Sequence, residues 1–341
     1  MTSLAPGHES VLAFGPIERE YAALRERSAV LDRSARTRLL FSGAKAADTL
    51  NGLLTNDAAS LVNGAGCYAA ALTAKGKVIA DVRVFARADD FLVDVAPAAA
   101  GGFTAMLRKY VNPRLARFAD VSGVLRTIGV YGPHSAGVVA ATLGCERARL
   151  LLLAPHHHLR GAGPDGGVLV ARVPDLGGEG FDLFVPVEGA AALWDRLVAS
   201  GADPAGLTTA EIARVEAGRP RWSVDMDENT LAQEANIDTL HGVSYTKGCY
   251  TGQETVARVH FRGHVNRNLR GVRSQILLPS GAQLFSADGN AAGDVRSAAV
   301  SPRLGPIAIA MVRHELPAGA ELTARWDGGD ERVRVTELPF D

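Results

Sequence analysis

The sequence predicts an α+β protein whose chain closes on a small β-barrel. Three observations carry this. From Ile17 to Gly218, apolar residues recur now at helical spacing and now in short runs or alternation. The strands so marked form small clusters between helices rather than one long series. From Ile276 onward the chain is short strands broken by turns, with Pro279, Gly281, Gly289, Pro302, Pro317 and Gly328 among the breakers. At 341 residues the chain exceeds what one core serves. The division expected is an α/β region over 17–275, with an internal boundary near 120–167, and a β-barrel over 276–341.

Ile17 to Arg27 reads as an amphipathic helix, because Ile17, Tyr21 and Leu24 share one face. A strand around Arg38–Phe41 follows, then a helix whose buried positions are Ala46, Leu50, Leu53 and Leu54. Cys67–Leu72 and Val78–Phe85 flank a turn at Lys75-Gly76, as a hairpin would. Phe91–Val95 is a strand, and Pro97 suits the first turn of a helix reaching Tyr110, where its missing N–H costs nothing. Val124–Tyr131 is a strand before a helix that begins at Pro133 and ends at Gly144. Pro155–Gly167, with His156, His157 and His158, reads as a solvated loop. Strands at Val168–Val173 and Phe181–Val187 precede a helix over Ala190–Ala199. Thr208 and Glu211 have capping-box spacing for a helix that ends at Gly218.

Composition excludes some classes. Lys and Arg number 36 against 37 Asp and Glu, so the net charge of −1 exerts no general pull on nucleic acid or membrane. Residues 1–15 lack the basic flank and long apolar run of a secretion signal, and the longest aliphatic run, Leu150–Ala154, is too short to span a bilayer. Three dispersed cysteines, Cys67, Cys145 and Cys249, fit neither a disulfide framework nor a CxxC metal site. A soluble, cytoplasmic protein with no metal site is the expectation.

Several short motifs fail on context. Gly161–Gly166 matches GxGxxG but leads into a strand, whereas a dinucleotide site opens a helix. Asp225, Asp227 and Asn229 begin like a calcium loop, yet Thr230 stands where glycine is required and Asn236 where a bidentate glutamate is. Ser244–Lys247 spells SxxK without its companion motifs.

The segment from Lys247 to Arg273 is different. Lys247, Arg258, Arg262, Arg267, Arg270 and Arg273 face a single carboxylate, Glu254, in an otherwise balanced chain. If Thr255–Arg262 is a strand, alternation places Arg258, His260 and Arg262 on one surface. That surface is either an anion-binding wall or the solvated face of an edge strand. Cys249 lies between Gly248 and Gly252 and two residues after Lys247, a cation that would favour its thiolate. A small buried hydrophobe is the other reading of that cysteine.

Lys247-Gly-Cys-Tyr-Thr-Gly-Gln-Glu254 resembles the K-G-C-Y-x-G-Q-E signature of YgfZ-type proteins, a branch of the aminomethyltransferase superfamily. Arg219–Glu234, Arg262–Arg267 and the Asn51–Asp57 stretch are similar to that family too. The resemblance implies interleaved α/β lobes and a barrel arranged as a three-lobed ring, with tetrahydrofolate in a central channel. Asp81 falls where the superfamily keeps an aspartate near the folate nitrogens; from the residues alone it is a charge on a strand. Gly178–Phe181 is similar to the pterin-binding G-E-x-G-[FY] element, one residue shorter, and brings in Glu179.

By the same resemblance Cys249, Lys247 and Asp81 are the reactive groups, and Tyr250, Gln253, Arg258, Arg262 and Arg270 join Asp81 and Glu179 as folate contacts. Arg258 is the first choice for the glutamate tail, since guanidinium forks suit carboxylates. The function implied is an accessory protein supporting iron–sulfur cluster assembly or repair, including clusters of tRNA-modifying enzymes, with client enzymes or assembly proteins as partners. The alternatives are a folate-dependent aminomethyl transferase or demethylase and, last, a direct tRNA binder.

Overall fold

The computed structural model describes residues 11–162 and 167–341. The first ten residues and most of the GxGxxG match lie outside the described residues. The chain opens with α1 (Ile17–Glu26), β1 (Ala29–Asp32), β2 (Thr37–Ser42), α2 (Ala46–Leu53), β3 (Gly66–Leu72), β4 (Val78–Ala86), β5 (Asp90–Val95), α3 (Pro97–Tyr110) and β6 (Arg117–Asp120). It continues through β7 (Leu125–Tyr131), α4 (Ser135–Leu143), α5 (Arg147–Leu151), β8 (His158–Gly161), β9 (Val168–Arg172), β10 (Gly180–Pro186), α6 (Val187–Ala199), β11 (Asp203–Pro204) and α7 (Leu207–Glu216). After an irregular stretch come α8 (Gln253–Arg262), β12 (Arg267–Arg273), β13 (Gln283–Phe285), β14 (Ala291–Ser301), β15 (Gly305–Arg313), β16 (Glu321–Trp326) and β17 (Gly329–Thr336).

These elements build three units. The first is a five-stranded sheet of order β3-β4-β5-β2-β6, whose core includes Leu39, Phe41, Leu50, Val82 and Phe103. Alternation along β4 sends Ala80, Val82 and Val84 into that core and leaves Asp81 and Arg83 on the opposite face. The second is a six-stranded sheet of order β11-β1-β7-β10-β9-β8, with a core of Val30, Ile128, Leu183 and Leu193 among others. Its strand β1 is laid down before the first sheet and pairs antiparallel with β7 only on the chain's return, Ala29 opposite Tyr131 and Asp32 opposite Ile128. The two units are therefore interleaved.

The third unit is the closed barrel β12-β15-β14-β13-β16-β17. Pairing of β12 with β17 completes it, Gly271 opposite Thr336, and closure leaves no open sheet edge. Its first strand lies ahead of Ile276, where the sequence places the start of the β region. A further core joins the units, with Tyr21, Val78, Ile212, Val256 and Ile309 in one cluster. At that junction the buried Glu216 of α7 accepts from Tyr21 Oη at 2.7 Å and also pairs with Arg25 and Ser301.

Three segments differ from the sequence-based expectation. Residues 253–262 form a helix, not the strand proposed for Thr255–Arg262. Gly252 turns the chain at φ 87° against Thr73, and Glu254 in the first turn with Arg262 in the last suits the helix dipole. The alternating arginines of so short a stretch fit either period. Thr208 and Glu211 make no capping box: α7 starts at Leu207 without a side-chain cap. Glu20 of α1 instead takes the Gly206 N–H and the Thr209 hydroxyl, each at 2.8 Å. Finally, the stretch read as a solvated loop contains the edge strand β8, and both His156 and His158 are buried.

Candidate active site

A cavity of about 940 Å³ lies where the three units meet. Tyr68, Asp81 and Arg83 enter it from the first sheet, Arg33 and Arg36 from the turn after β1, Glu211, Arg219 and Trp222 from α7 and the segment beyond, and Ala299 and Pro302 from the barrel. It falls at the upper end of the roughly 300–1,000 Å³ that small-molecule sites occupy.

Asp81 is the chemical focus. It is 8% exposed. Tyr68 Oη donates to its Oδ2 at 3.2 Å, and its Oδ1 is buried without a partner. Burial raises the carboxyl above its ordinary range, with Arg36 opposing the shift. Burial likewise holds the Tyr68 phenol well above its usual value, so it stays a donor.

A charged network supports this floor. Arg83, also buried, donates to Asp182 Oδ2 at 2.7 Å and to Asp175 Oδ2 at 3.1 Å, and it pairs with Asp94. Arg36 Nε donates to Asp94 Oδ2 at 2.8 Å, Arg33 Nη2 to Asp175 Oδ2 at 2.9 Å, and Tyr131 Oη to Asp182 Oδ1 at 2.6 Å. Arg83 stands on β4 and Asp182 on β10, so the ion pair bridges the two sheets beside the cavity. Burial alone would raise Asp175, but Arg83, Arg33, Arg36 and Arg219 outweigh it and hold that carboxyl well below its usual range.

Two cavity residues escaped the sequence analysis. His156 is buried with φ 65°, and its ring stacks on Tyr68 at 6.1 Å. Arg219 lines the cavity half-buried, and its guanidinium has no hydrogen-bond or ion-pair partner among the described residues. Its field acts on Tyr68, His156 and Asp175. The only sign of Arg219 in the sequence was its place in the family-like Arg219–Glu234 stretch. Nothing distinguished His156 from its neighbours.

Of the residues given a catalytic or folate-binding role from the sequence, only Asp81 is on the cavity lining. Cys249 is exposed just ahead of α8, and Arg258 and Arg262 are exposed on that helix. Gln253 is the first residue of the same helix. Lys247 Nζ donates to the carbonyls of Leu54 at 2.7 Å and Asn56 at 2.9 Å, and also to Asn51, so it closes the C-terminal end of α2. Burial lowers its pKa to about 8, and the thiol it acts on is Cys67, itself pushed up to about 12 by burial. Tyr250 lies under the Lys247 ammonium, 5.0 Å from ring centre to nitrogen. Glu179 accepts from Ser135 Oγ and the Ala136 N–H, both at 2.9 Å, at the start of α4. Arg270 pairs with Glu337 across the barrel at 3.0 Å.

The sequence itself matches two family models in succession, the GCVT N-terminal domain over residues 5–244 and the glycine cleavage T-protein C-terminal barrel domain over residues 267–341. The chain belongs to the glycine cleavage T-protein family. Among curated relatives of this family, the aminomethyltransferase of Rubrobacter xylanophilus is 28% identical over 98% of this chain and 88% of its own. That of Stenotrophomonas maltophilia (strain K279a) is 30% identical over 98% and 90%. The crystal structure of the glycine cleavage system aminomethyltransferase T from Bartonella henselae superposes with a TM-score of 0.84 at 23% identity, over 95% of this chain and 89% of that one. The glycine cleavage T-protein fold, α/β lobes with a closed six-stranded barrel, is therefore the fold of this chain.

These relatives overturn the accessory role in iron–sulfur assembly expected from the YgfZ-type resemblance. They carry the aminomethyltransferase name, which was the alternative. The physical premise of the accessory reading fails as well, since Cys249 is exposed and off the lining of the cavity that was to hold it beside folate. Glycine cleavage T-proteins act with tetrahydrofolate, and that cofactor stands. The residues present fit it: the cavity offers aromatic walls in Tyr68 and Trp222, a spare guanidinium for a carboxylate in Arg219, and unpartnered buried polar atoms in Asp81 Oδ1 and Trp222 Nε1.

Among the described residues no helix is long and apolar enough to cross a membrane.

Proposed function

We propose that this chain is an enzyme, a folate-dependent aminomethyltransferase, working in the cavity between its three units. The observation that carries this reading is the Asp81 carboxyl on the cavity wall: buried, held through one oxygen by Tyr68, and without a partner at the other. Tetrahydrofolate, when bound, would supply the nitrogens that accept the one-carbon unit, and an S-aminomethyl donor would release its nitrogen as ammonia and its sulfur as the free thiol.

The chain's own groups do the rest. Asp81 holds a proton, or the positive charge of an amine, at Oδ1; because burial raises its pKa, the proton is exchanged at a pH nearer neutrality than on a solvated carboxylate. Tyr68 keeps Oδ2 engaged and so aims Oδ1. Arg219 holds a ligand carboxylate, and Trp222 with Tyr68 excludes water from the reacting end. The Lys247–Glu254 signature supports placing the chain near the YgfZ-type branch by descent. The three unpaired cysteines support a reducing, cytoplasmic setting.

The test is direct. Purified protein is incubated with tetrahydrofolate and an S-aminomethyl dithiol donor, and ammonia and methylene-tetrahydrofolate are followed. Both products should form, and Asp81→Asn should slow them by about 10²–10⁴-fold. A wild-type rate equal to the protein-free control would end this reading.

A further inference from the structure

We propose that His156 is a ligand-contacting residue of the cavity, a ring that hydrogen-bonds the bound folate's pterin and sets the site's preference for that heterocycle. The inference rests on the folate reading above.

The backbone of His156 is held where side chains seldom go. Its φ of 65° is left-handed, an uncommon conformation outside glycine, although histidine enters it more readily than most residues. The N–H donates to Arg172 O at 2.7 Å, and the carbonyl is approached by Gly66 so closely that a Cβ there would stand 2.3 Å from it. The Arg172 hydrogen bond and the close approach of Gly66 fix this stretch of backbone at the cavity wall.

The ring completes the case. It is 7% exposed, lines the cavity, stacks on Tyr68, and leaves Nδ1 buried without a partner. A buried polar atom in that state calls for a ligand or a water. His158 makes the contrast: it is also buried, but its Nε2 lies 2.7 Å from Ala86 O and it is off the cavity lining. Tyr68 stacks on His156 and donates to Asp81, so the two residues that carry the unpartnered atoms Nδ1 and Oδ1 both adjoin this tyrosine. Burial lowers the imidazole pKa to about 3, which keeps the ring neutral, with one nitrogen to donate and one to accept. A pterin edge presents both partners.

The experiment is calorimetry with tetrahydrofolate on wild type and His156→Asn, joined to ¹⁵N spectra of the wild-type histidine rings. Asparagine tolerates the left-handed backbone, so the variant keeps the loop but loses the ring. The variant should bind about tenfold more weakly, the cost of one ligand hydrogen bond. The fragment p-aminobenzoylglutamate, which has no pterin, should bind both proteins alike. The His156 Nδ1 resonance should move when tetrahydrofolate is added. Affinity within about twofold of wild type, or an unmoved Nδ1 resonance, overturns the assignment. Should His156→Asn not fold, the wild-type resonance decides alone. Wild type that binds no tetrahydrofolate removes both the folate reading and this one; wild type that binds it with an indifferent His156 removes only this one.

Discussion

Tyr68 Oη donates to Asp81 Oδ2 at 3.2 Å, and the other oxygen of that buried carboxyl meets no protein group. The two residues stand on adjacent strands of the first sheet, and the pairing of Ala70 with Asp81 and of Tyr68 with Arg83 sets them diagonally on one face. A hairpin thus carries the acid and the group that aims it, and predictions about the site begin there.

Asp81→Asn should raise stability at neutral pH while it slows transfer. The folded-state pKa lies above the unfolded one, so the wild-type contribution is present in full below the unfolded carboxylate range and is lost as pH rises from there through the raised folded-state value. The variant's gain in melting temperature should therefore shrink as pH falls toward the ordinary aspartate range. Thermal melts across pH would show it; a gain that grows in acid would contradict the buried, proton-retaining carboxyl.

Tyr68→Phe removes a donor that lowers the Asp81 pKa. The acid limb of the pH–rate profile should move upward. Stability should fall by about 1 kcal/mol for the lost hydrogen bond. An unmoved limb would mean that the phenol does not govern the carboxyl.

Arg83→Met leaves Asp94 and Asp182 buried without the cation that bridges them. Denaturant unfolding should show a loss of about 3–5 kcal/mol, the cost of breaking a buried pair from one side. Asp94 is raised by burial, yet Arg36 and Arg83 bring it below its usual range. Its stabilising contribution is present above the unfolded carboxylate range and lost as pH falls, so the variant should depend less on acid than wild type does.

Arg219→Met should weaken tetrahydrofolate binding by about tenfold, or more if the tail carboxylate is fully desolvated. Arg258→Met and Arg262→Met, on the exposed face of α8, should leave it unchanged. Calorimetry on the three variants would reverse the assignment if the order were inverted.

Cys249→Ser should leave folate binding and transfer at wild-type levels and alter stability by less than about 0.5 kcal/mol, as exposed substitutions do. Loss of transfer in that variant would return the thiol to the chemistry.

The sequence by itself determined what is local. Pro97 opens α3 and Gly144, at φ 64°, ends α4, both where the residue types require. The closely spaced glycines and prolines after Ile276 marked the barrel, the strand–helix alternation marked the α+β region, and the lobes within that region were implied only by the resemblance. A resemblance spread along the chain located Asp81. Tertiary structure decided the rest of the cavity. Three adjacent histidines look alike until Gly66, Tyr68 and Arg172 close on His156 from distant strands, and Arg219 stands out among many arginines only because it lines the cavity with no hydrogen-bond or ion-pair partner for its guanidinium among the described residues. Arg258 and Arg262 stand on a helix rather than the expected strand, because period and charge describe a segment's own faces, whereas the surface those faces meet is set by packing between units that no local pattern encodes.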